Sequence, residues 1–269
     1  MGATVAVIGA GVMGETLISG LVRAGRSPES LLVGEKRPER AAELRERYGV
    51  EVLGNRDAAR RATTVVLVVK PQDMGDLLDE IAPELHPGRL VVSLAAGITT
   101  QYIEARIPEG VAVVRVMPNT PALVDEGMAA ISRGSHCDEE HLVEAESLMA
   151  STGRVLRVPE RQQDAVTAIS GSGPAYLFFV VEAMIEAGVH LGLPRTTSTE
   201  LVVQTVVGSA KLLRETGEHP TVLREQVTSP GGTTAAAVRQ LEDHKVRAAF
   251  LTAMEAARDR SRALAEGTA

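Results

Sequence analysis

The chain has no tryptophan and only three tyrosines and three phenylalanines, so aromatics make up 2% of its 269 residues. Stacked aromatic platforms for single-stranded nucleic acid are therefore not expected, and the core has to be built from Val, Leu, Ile, Ala and Met. A single cysteine, Cys137, rules out an intrachain disulfide and a cysteine-based zinc cluster. The six histidines show no metal-ligand spacing such as H-E-x-x-H. His136, Cys137, Asp138 and His141 stand close together, but they read as a solvated loop and helix cap, so no metal is expected. Cations are outnumbered: the net charge of −7 opposes a nucleic-acid or anionic-membrane surface. Long uninterrupted apolar runs are also missing. The most apolar stretch, Ala175 to Leu193, carries Glu182, Glu186 and His190 at spacings of four. That makes one polar helical face and fits a buried or interface helix rather than a membrane span. A strand pattern begins at Thr4 without a leader, and the expected location is cytoplasmic. Gly171-Ser172-Gly173 lacks the spacing of a nucleophile elbow.

What is present points to a dinucleotide fold. Hydrophobic content of 44% and charged content of 23% mark a globular chain of one or two domains. The β-rich run Thr4 to Ile8 leads into Gly9-Ala10-Gly11-Val12-Met13-Gly14 and then a helix-forming segment, Glu15 to Ala24. Strand, G-x-G-x-x-G and helix in that order form a Rossmann fingerprint. Gly9 permits the tight turn, Gly11 lets the backbone reach a pyrophosphate, and Gly14 lets helix and strand pack closely. After the next strand, Leu31 to Val33, come Glu35, Lys36 and Arg37. Glu35 lies about twenty residues beyond the fingerprint, where an acid holds the ribose 2′-OH of NAD. Lys36 and Arg37 suit the 2′-phosphate of NADP instead. Two cations outweigh one acid, which makes NADPH the preferred cofactor with NADH possible.

Strand and helix patterns alternate from there to about Pro159. Helices are expected at Pro38 to Tyr48, Asn55 to Arg61, Gln72 to Ile81, Thr99 to Arg106 and Asp138 to Met149. Strands are expected at Val50 to Leu53, Thr64 to Val69, Leu90 to Leu94, Val111 to Met117 and Val155 to Val158. The β-branched run Thr64 to Val69 fits a parallel strand buried on both faces and ends at Lys70-Pro71, on the edge where ligands bind. Ala95-Ala96-Gly97 would admit a flat ring. Asn119, between Pro118 and Pro121, is placed either to bond a substrate or nicotinamide or to form a turn. Beyond Pro159 apolar residues recur only at helical spacing, and Ser170-Gly171-Ser172-Gly173-Pro174 reads as a loop before the first long helix. The fold class is an α/β Rossmann domain, 1–159, followed by an all-α dimerisation and substrate-binding domain, 160–269. So apolar a helical segment suggests burial against a second subunit.

Late in that segment, Thr228-Ser229-Pro230-Gly231-Gly232-Thr233-Thr234 feeds a helix. Gly allows close backbone approach, and the unpaired N–H groups and dipole of a helix N-terminus favour an anion. The plain alternative is an N-capped helix after a turn. No His or Lys stands out as a proton donor; Lys211 and Lys245 read as surface lysines. Reduction of a carbonyl needs a donor on the oxygen, whereas an iminium carbon accepts hydride without one. A positioned small imino acid with its carboxylate in the late loop fits that pattern.

These motifs together resemble the pyrroline-5-carboxylate reductases over nearly the whole chain. Val227 to Thr234 is the most specific match. Gly9-Ala10-Gly11, Val69-Lys70-Pro71, Ala95-Ala96-Gly97, Met117 to Pro121 and Ser170 to Tyr176 support it. The resemblance implies NAD(P)H-dependent reduction of L-Δ1-pyrroline-5-carboxylate to L-proline. It implies a homodimer with interleaved helical domains, in some members a ring of dimers, and sites that pair one subunit's cofactor with the other's late loop. Backbone at Val227, Gly231, Gly232 and Thr233 would hold the carboxylate, Thr234 would bond the ring nitrogen, and Ser229 would lie beside the substrate. Thr234 and Ser229 are then the catalytic candidates, and Asn119 a further substrate contact. Gly9 to Gly14, Lys36, Arg37, Asn55, Val68, Lys70, Pro71 and Ala96 would line the cofactor. The β-hydroxyacid dehydrogenases share the architecture but need a lysine where Leu177 stands, and Lys211 has Val207 four residues before it. A non-catalytic nucleotide sensor would have no need of the late loop.

Overall fold

A computed structural model describes residues 4–265. The chain forms two compact units: one runs to Ser172 and resumes at Ala257, the other is Gly173–Ala256.

The first unit is built on an eight-stranded sheet. Its strands are β1 (Val5–Ile8), β2 (Leu31–Gly34), β3 (Glu51–Leu53), β4 (Thr64–Leu67), β5 (Leu90–Ser93), β6 (Ala112–Met117), β7 (Gly127–Arg133) and β8 (Gly153–Arg157). Their order is β3-β2-β1-β4-β5-β6-β7-β8. All neighbours are parallel except β6 and β7. Helices α1 (Val12–Arg23), α2 (Pro38–Tyr48), α3 (Asn55–Arg61), α4 (Met74–Ile81), α5 (Thr100–Glu104), α6 (Glu139–Ala150) and α7 (Gln163–Val166) join them.

Side chains alternate across a strand, so an apolar run supplies both faces of the sheet. Val5, Val7, Val33, Val66 and Val92 enter one core with Leu17, Ile18, Leu44 and Leu148. Ala6, Ile8, Leu32, Val65, Leu67 and Val91 enter the other with Met74, Leu78, Ile81 and Ile103. This is why the central strands read as unbroken hydrophobic runs: each is covered by helices on both sides. Strand order reverses between β1 and β4, and a ligand crevice belongs at the carboxyl ends flanking that point.

Gly9 makes the turn there. Its φ is +98°, and a Cβ on it would lie 2.5 Å from the Val68 carbonyl oxygen. Gly14 packs equally hard: its Cβ would fall 2.1 Å from the Gly9 carbonyl. Helix α1 begins at Val12, earlier than the pattern from Glu15 suggests, because Gly11 is its N-cap. Strand β4 ends at Leu67 rather than Val69, which frees Val68 and Val69 to border the crevice.

Ser170 to Pro174 is not a loop. Thr167–Gly171 forms a π-helical turn that follows α7, closed by a bond from the Ser172 N–H to the Thr167 carbonyl at 2.8 Å. The Ser170 hydroxyl bonds back to the Val166 carbonyl, as the Thr167 hydroxyl before it does to that of Gln163. Gly171 leaves room for the flexible end of Met117, whose Cε would lie 2.5 Å from a Cβ there.

The second unit is helical: α8 (Gly173–His190), α9 (Arg195–Thr216), α10 (Pro220–Gln226), α11 (Thr233–Asp243) and the start of α12 (Val246–Ala265). Helices α8 and α9 meet where Gly188 leaves room for Ser198, whose hydroxyl donates to the Ile185 carbonyl at 2.9 Å. Leu177, Phe178, Phe179, Leu201, Val207 and Leu251 of this unit are exposed. Within the helical stretch Glu160–His190 an 18-residue window reaches a mean hydropathy of 1.4, which by length and composition alone is enough to cross a membrane.

Gly9→Ala meets the Val68 backbone carbonyl at a left-handed φ, so the nearest clash has no flexible side chain to relieve it. An unfolding free energy lower by about 1–3 kcal/mol is expected. In urea it would appear as a fall in midpoint at unchanged slope.

Candidate active site

Two clefts flank the strand-order reversal. The larger, about 390 Å³, is bounded by Gly11 to Met13 from the β1–α1 turn, Val68 to Pro71 beyond β4, Leu94 to Ala96 beyond β5, and Met117 to Thr120 beyond β6. Gly11, Val12, Met13, Val68, Lys70, Pro71, Ala96 and Asn119 of the expected site residues thus come together. Gly171 of the π-turn closes the same cleft. A Cβ on Gly11 would meet nothing within 4 Å, so the space beside that backbone is open, as close approach of a pyrophosphate requires. Ala95 and Ala96 end the third wall with small side chains, and Gly97 turns away at φ +75°. These features fit a dinucleotide lying across the strand ends.

Asn119 borders the cleft, yet its amide is engaged. The side-chain Nδ2 donates to the Ser170 carbonyl at 3.1 Å, and Oδ1 accepts from the Met128 N–H at 2.8 Å. Its amide thus ties the turn after β6 to Ser170 and Met128, while the residue borders the cleft.

The second cleft, about 360 Å³, contains Gly9, Gly34, Glu35, Lys36 and Asn55. Asn55 is 6% exposed at the start of α3. Arg37 is not on its wall. Its backbone N–H and guanidinium both donate to Glu35, at 2.9–3.0 Å. The Arg37 hydrogen bond holds the Glu35 carboxyl below the usual range, against the opposing pull of burial. Lys36 donates to Glu80 Oε2 at 2.9 Å, and Asn55 Nδ2 to the same oxygen at 3.1 Å. Burial raises the Glu80 pKa, but these bonds and the charges of Lys36 and Arg56 outweigh it and the net shift is downward. Sequence reading missed Asp73, Asp76 and Glu80, which line this cleft from α4 and the turn before it. No motif marks them; only the helix's position over the β1–β2 edge does.

The late stretch lies in the second unit. Thr228 closes α10, its hydroxyl donating to the Arg224 carbonyl at 2.6 Å. Gly231 takes a left-handed φ of +69°, and the Gly232 N–H donates to the Ser229 carbonyl at 3.0 Å. Gly232 has no room for a side chain, since its Cβ would lie 2.4 Å from Ser229 Oγ. It is the N-cap of α11 and supplies no side-chain hydrogen bond to the first turn. Thr233 and Thr234 open that turn, no acidic residue stands in it, and Val227 is exposed on the approach. The stretch thus offers a glycine-floored loop and the positive end of an eleven-residue helix, features that suit an anion.

Other candidates have local tasks. Asp138 caps α6 in a capping box with His141. Cys137 is buried and its thiol donates to the Val113 carbonyl. Lys211 lies 3.7 Å from Glu215 on the exposed face of α9.

Comparison with known proteins agrees with this geometry. Residues 160–264 match the family described as pyrroline-5-carboxylate reductase dimerisation, and residues 4–97 match NADP oxidoreductase, coenzyme F420-dependent. The pyrroline-5-carboxylate reductase of Corynebacterium melassecola is 47% identical over 265 residues, covering 97% of this chain and 98% of its own. The solved structure of a pyrroline-5-carboxylate reductase from Coxiella burnetii is 37% identical with a TM-score of 0.94, over 97% of this chain and 98% of that one. That of Plasmodium falciparum pyrroline carboxylate reductase with NADP bound is 30% identical with a TM-score of 0.87, over 98% of both chains. A dinucleotide cleft, a glycine-floored anion loop and likeness over nearly the full length lead to one assignment: the chain belongs to the pyrroline-5-carboxylate reductase family.

Proposed function

We propose that this protein reduces L-Δ1-pyrroline-5-carboxylate to L-proline, the final step of proline biosynthesis, as a cytoplasmic homodimer. The observation that carries the reading is the 47% identity to a named reductase across nearly the whole of both chains. A bound NAD(P)H supplies hydride to the C=N carbon of the substrate.

The protein's own part is positional. Gly9 to Gly14 and the start of α1 hold the pyrophosphate, with Lys70 and Pro71 on the facing wall. Ala96 leaves room for the nicotinamide. The N–H groups at the start of α11, with those of Gly231 and Gly232, bind the substrate carboxylate. Such preorganised donors need no rearrangement as the reaction proceeds. Thr234 donates to, or accepts from, the ring nitrogen, and Ser229 stands beside the ring. Solvent completes the protonation of nitrogen, so no His or Lys is required as an acid.

The second unit has a further role in assembly. Phe178, Phe179 and Leu177 are more than half exposed, on a segment matched to a dimerisation family. Covering them with a second copy removes apolar surface from water. In this arrangement the helices of two subunits interleave, and the late loop of one subunit serves the cofactor of the other.

Purified protein given L-Δ1-pyrroline-5-carboxylate should oxidise NADPH or NADH, followed at 340 nm. Binding of the dinucleotide without oxidation would leave only a nucleotide-binding scaffold. Gly11→Ser keeps a good N-cap and fills the open space by the backbone. Dinucleotide affinity should drop at least tenfold by fluorescence titration, while unfolding free energy stays within about 0.5 kcal/mol. Mixed dimers test the shared site. Thr234→Ala and Gly11→Ser homodimers should both be nearly inactive at limiting cofactor. A co-expressed, doubly tagged heterodimer has one site free of both changes and should recover up to half of wild-type turnover. No recovery would place both residues in the site of one chain.

A further inference from the structure

The adenosine-end cleft carries Glu35, Asp73, Asp76 and Glu80 against a single cation, Lys36. Residue types alone assign Lys36 and Arg37 to a 2′-phosphate. The structure shows both of them committed to carboxylates instead. Arg37 is turned back onto Glu35 through three donors. Lys36 reaches into the cleft but ends on Glu80 Oε2, and Asn55 ends on the same oxygen. One carboxylate oxygen on α4 therefore holds two of the groups that face a nucleotide from β2 and α3.

We propose that Glu80 is a specificity-determining residue for the cofactor, disfavouring a 2′-phosphate by occupying Lys36 and Asn55 and by placing its own negative charge in the cleft. This rests on the dinucleotide reading of the site. A free 2′-hydroxyl donates to a carboxylate and has no charge to be repelled. A 2′-phosphate brings up to two negative charges and accepts only. To be bound it has to draw Lys36 away from Glu80, leaving that carboxylate without its cation in a partly buried position, and it meets like charge on the way in. The Lys36 ammonium is 70% exposed and the Glu80 side chain 29%, so the pair itself adds little stability. Its effect falls on what Lys36 and Asn55 are free to do. Glu35 acts in the same direction through Arg37, but Arg37 lies off the cleft wall and both residues belong to the one turn after β2. Glu80 is the member contributed by a different element, and it can be neutralised without disturbing the turn after β2.

The experiment is direct binding, by calorimetry at low and constant ionic strength, of NADPH, NADH, 2′,5′-ADP and 5′-AMP to the full chain. Glu80→Gln keeps the shape and removes the charge. It should tighten NADPH and 2′,5′-ADP at least fivefold and move NADH and 5′-AMP less than twofold. Glu80→Ser, which withdraws the carboxylate from the reach of Lys36, should act in the same sense. Adding Lys36→Met to Glu80→Gln should abolish the gain. Equal shifts for ligands with and without the 2′-phosphate would mean general charge steering and overturn the proposal. So would weaker NADPH binding, which would make Glu80 a support that positions Lys36 and Asn55 for phosphate. A wild-type chain that binds neither dinucleotide would remove the dinucleotide reading itself. Selective failure of the Glu80 variants leaves that reading intact.

Discussion

The cofactor side of this protein depends on backbone crowding at one turn. Gly9 sits at a φ of +98° with the Val68 carbonyl where its side chain would be, and Gly14 rests on the carbonyl of Gly9. Three consecutive features follow from that contact. Strand β1 can turn at once into α1, so the helix N-terminus faces the carboxyl ends of the sheet. Strand β4 leaves the ladder after Leu67, which turns Val68 to Pro71 toward the same crevice. The reversal of strand order between β1 and β4 then opens two clefts, one on each side of the turn. Any side chain at Gly9 displaces all of this together, whereas one at Gly11 enters open space that belongs to the ligand.

Charge arrangement at the adenosine end is a separate matter from stability. Exposed ion pairs contribute roughly 0–1 kcal/mol, and the cations here, Lys36 and Arg37, are 70% and 67% exposed. Buried area dominates by comparison: side chains such as Ile8, Leu32, Leu67 and Leu78, all essentially fully buried, contribute about 1.5–3 kcal/mol each. What Glu35 and Glu80 determine is which groups remain available to a nucleotide. Their carboxyls are both held below the usual range, so both are charged at neutral pH.

Much of this was legible in the sequence because the relevant signals are local. Helices α2 and α3 occur at the expected residues, and runs such as Thr64-Val65-Val66-Leu67 announce strands covered on both faces. The glycines of the first turn are constrained by atoms a few residues away or on the adjoining strand. The turn at Gly231 and the helix that follows it were visible for the same reason. What escaped depends on partners distant in the chain. Ser170 to Gly173 has turn composition, yet the Ser170 hydroxyl bonds back into a helix and Gly171 leaves room for Met117, more than fifty residues earlier. Glu80 is one acid on an amphipathic helix, and its partners Asn55 and Lys36 lie 25 and 44 residues away. Lys36 and Arg37 were readable as cations but not as cations already paired.

The second unit explains why a chain so poor in aromatics places two of its three phenylalanines, Phe178 and Phe179, on an exposed helix. They lie on a segment that matches a dimerisation family, and the glycine-floored late loop is carried on the same unit. The central claim is that this assembly moves hydride onto an imino acid. Its most direct test is mass spectrometry of proline formed from L-Δ1-pyrroline-5-carboxylate with a cofactor dideuterated at the nicotinamide C4. The account predicts proline one mass unit heavier, with deuterium on the ring carbon bonded to nitrogen away from the carboxylate. Proline without deuterium, or cofactor oxidation without proline, would contradict it.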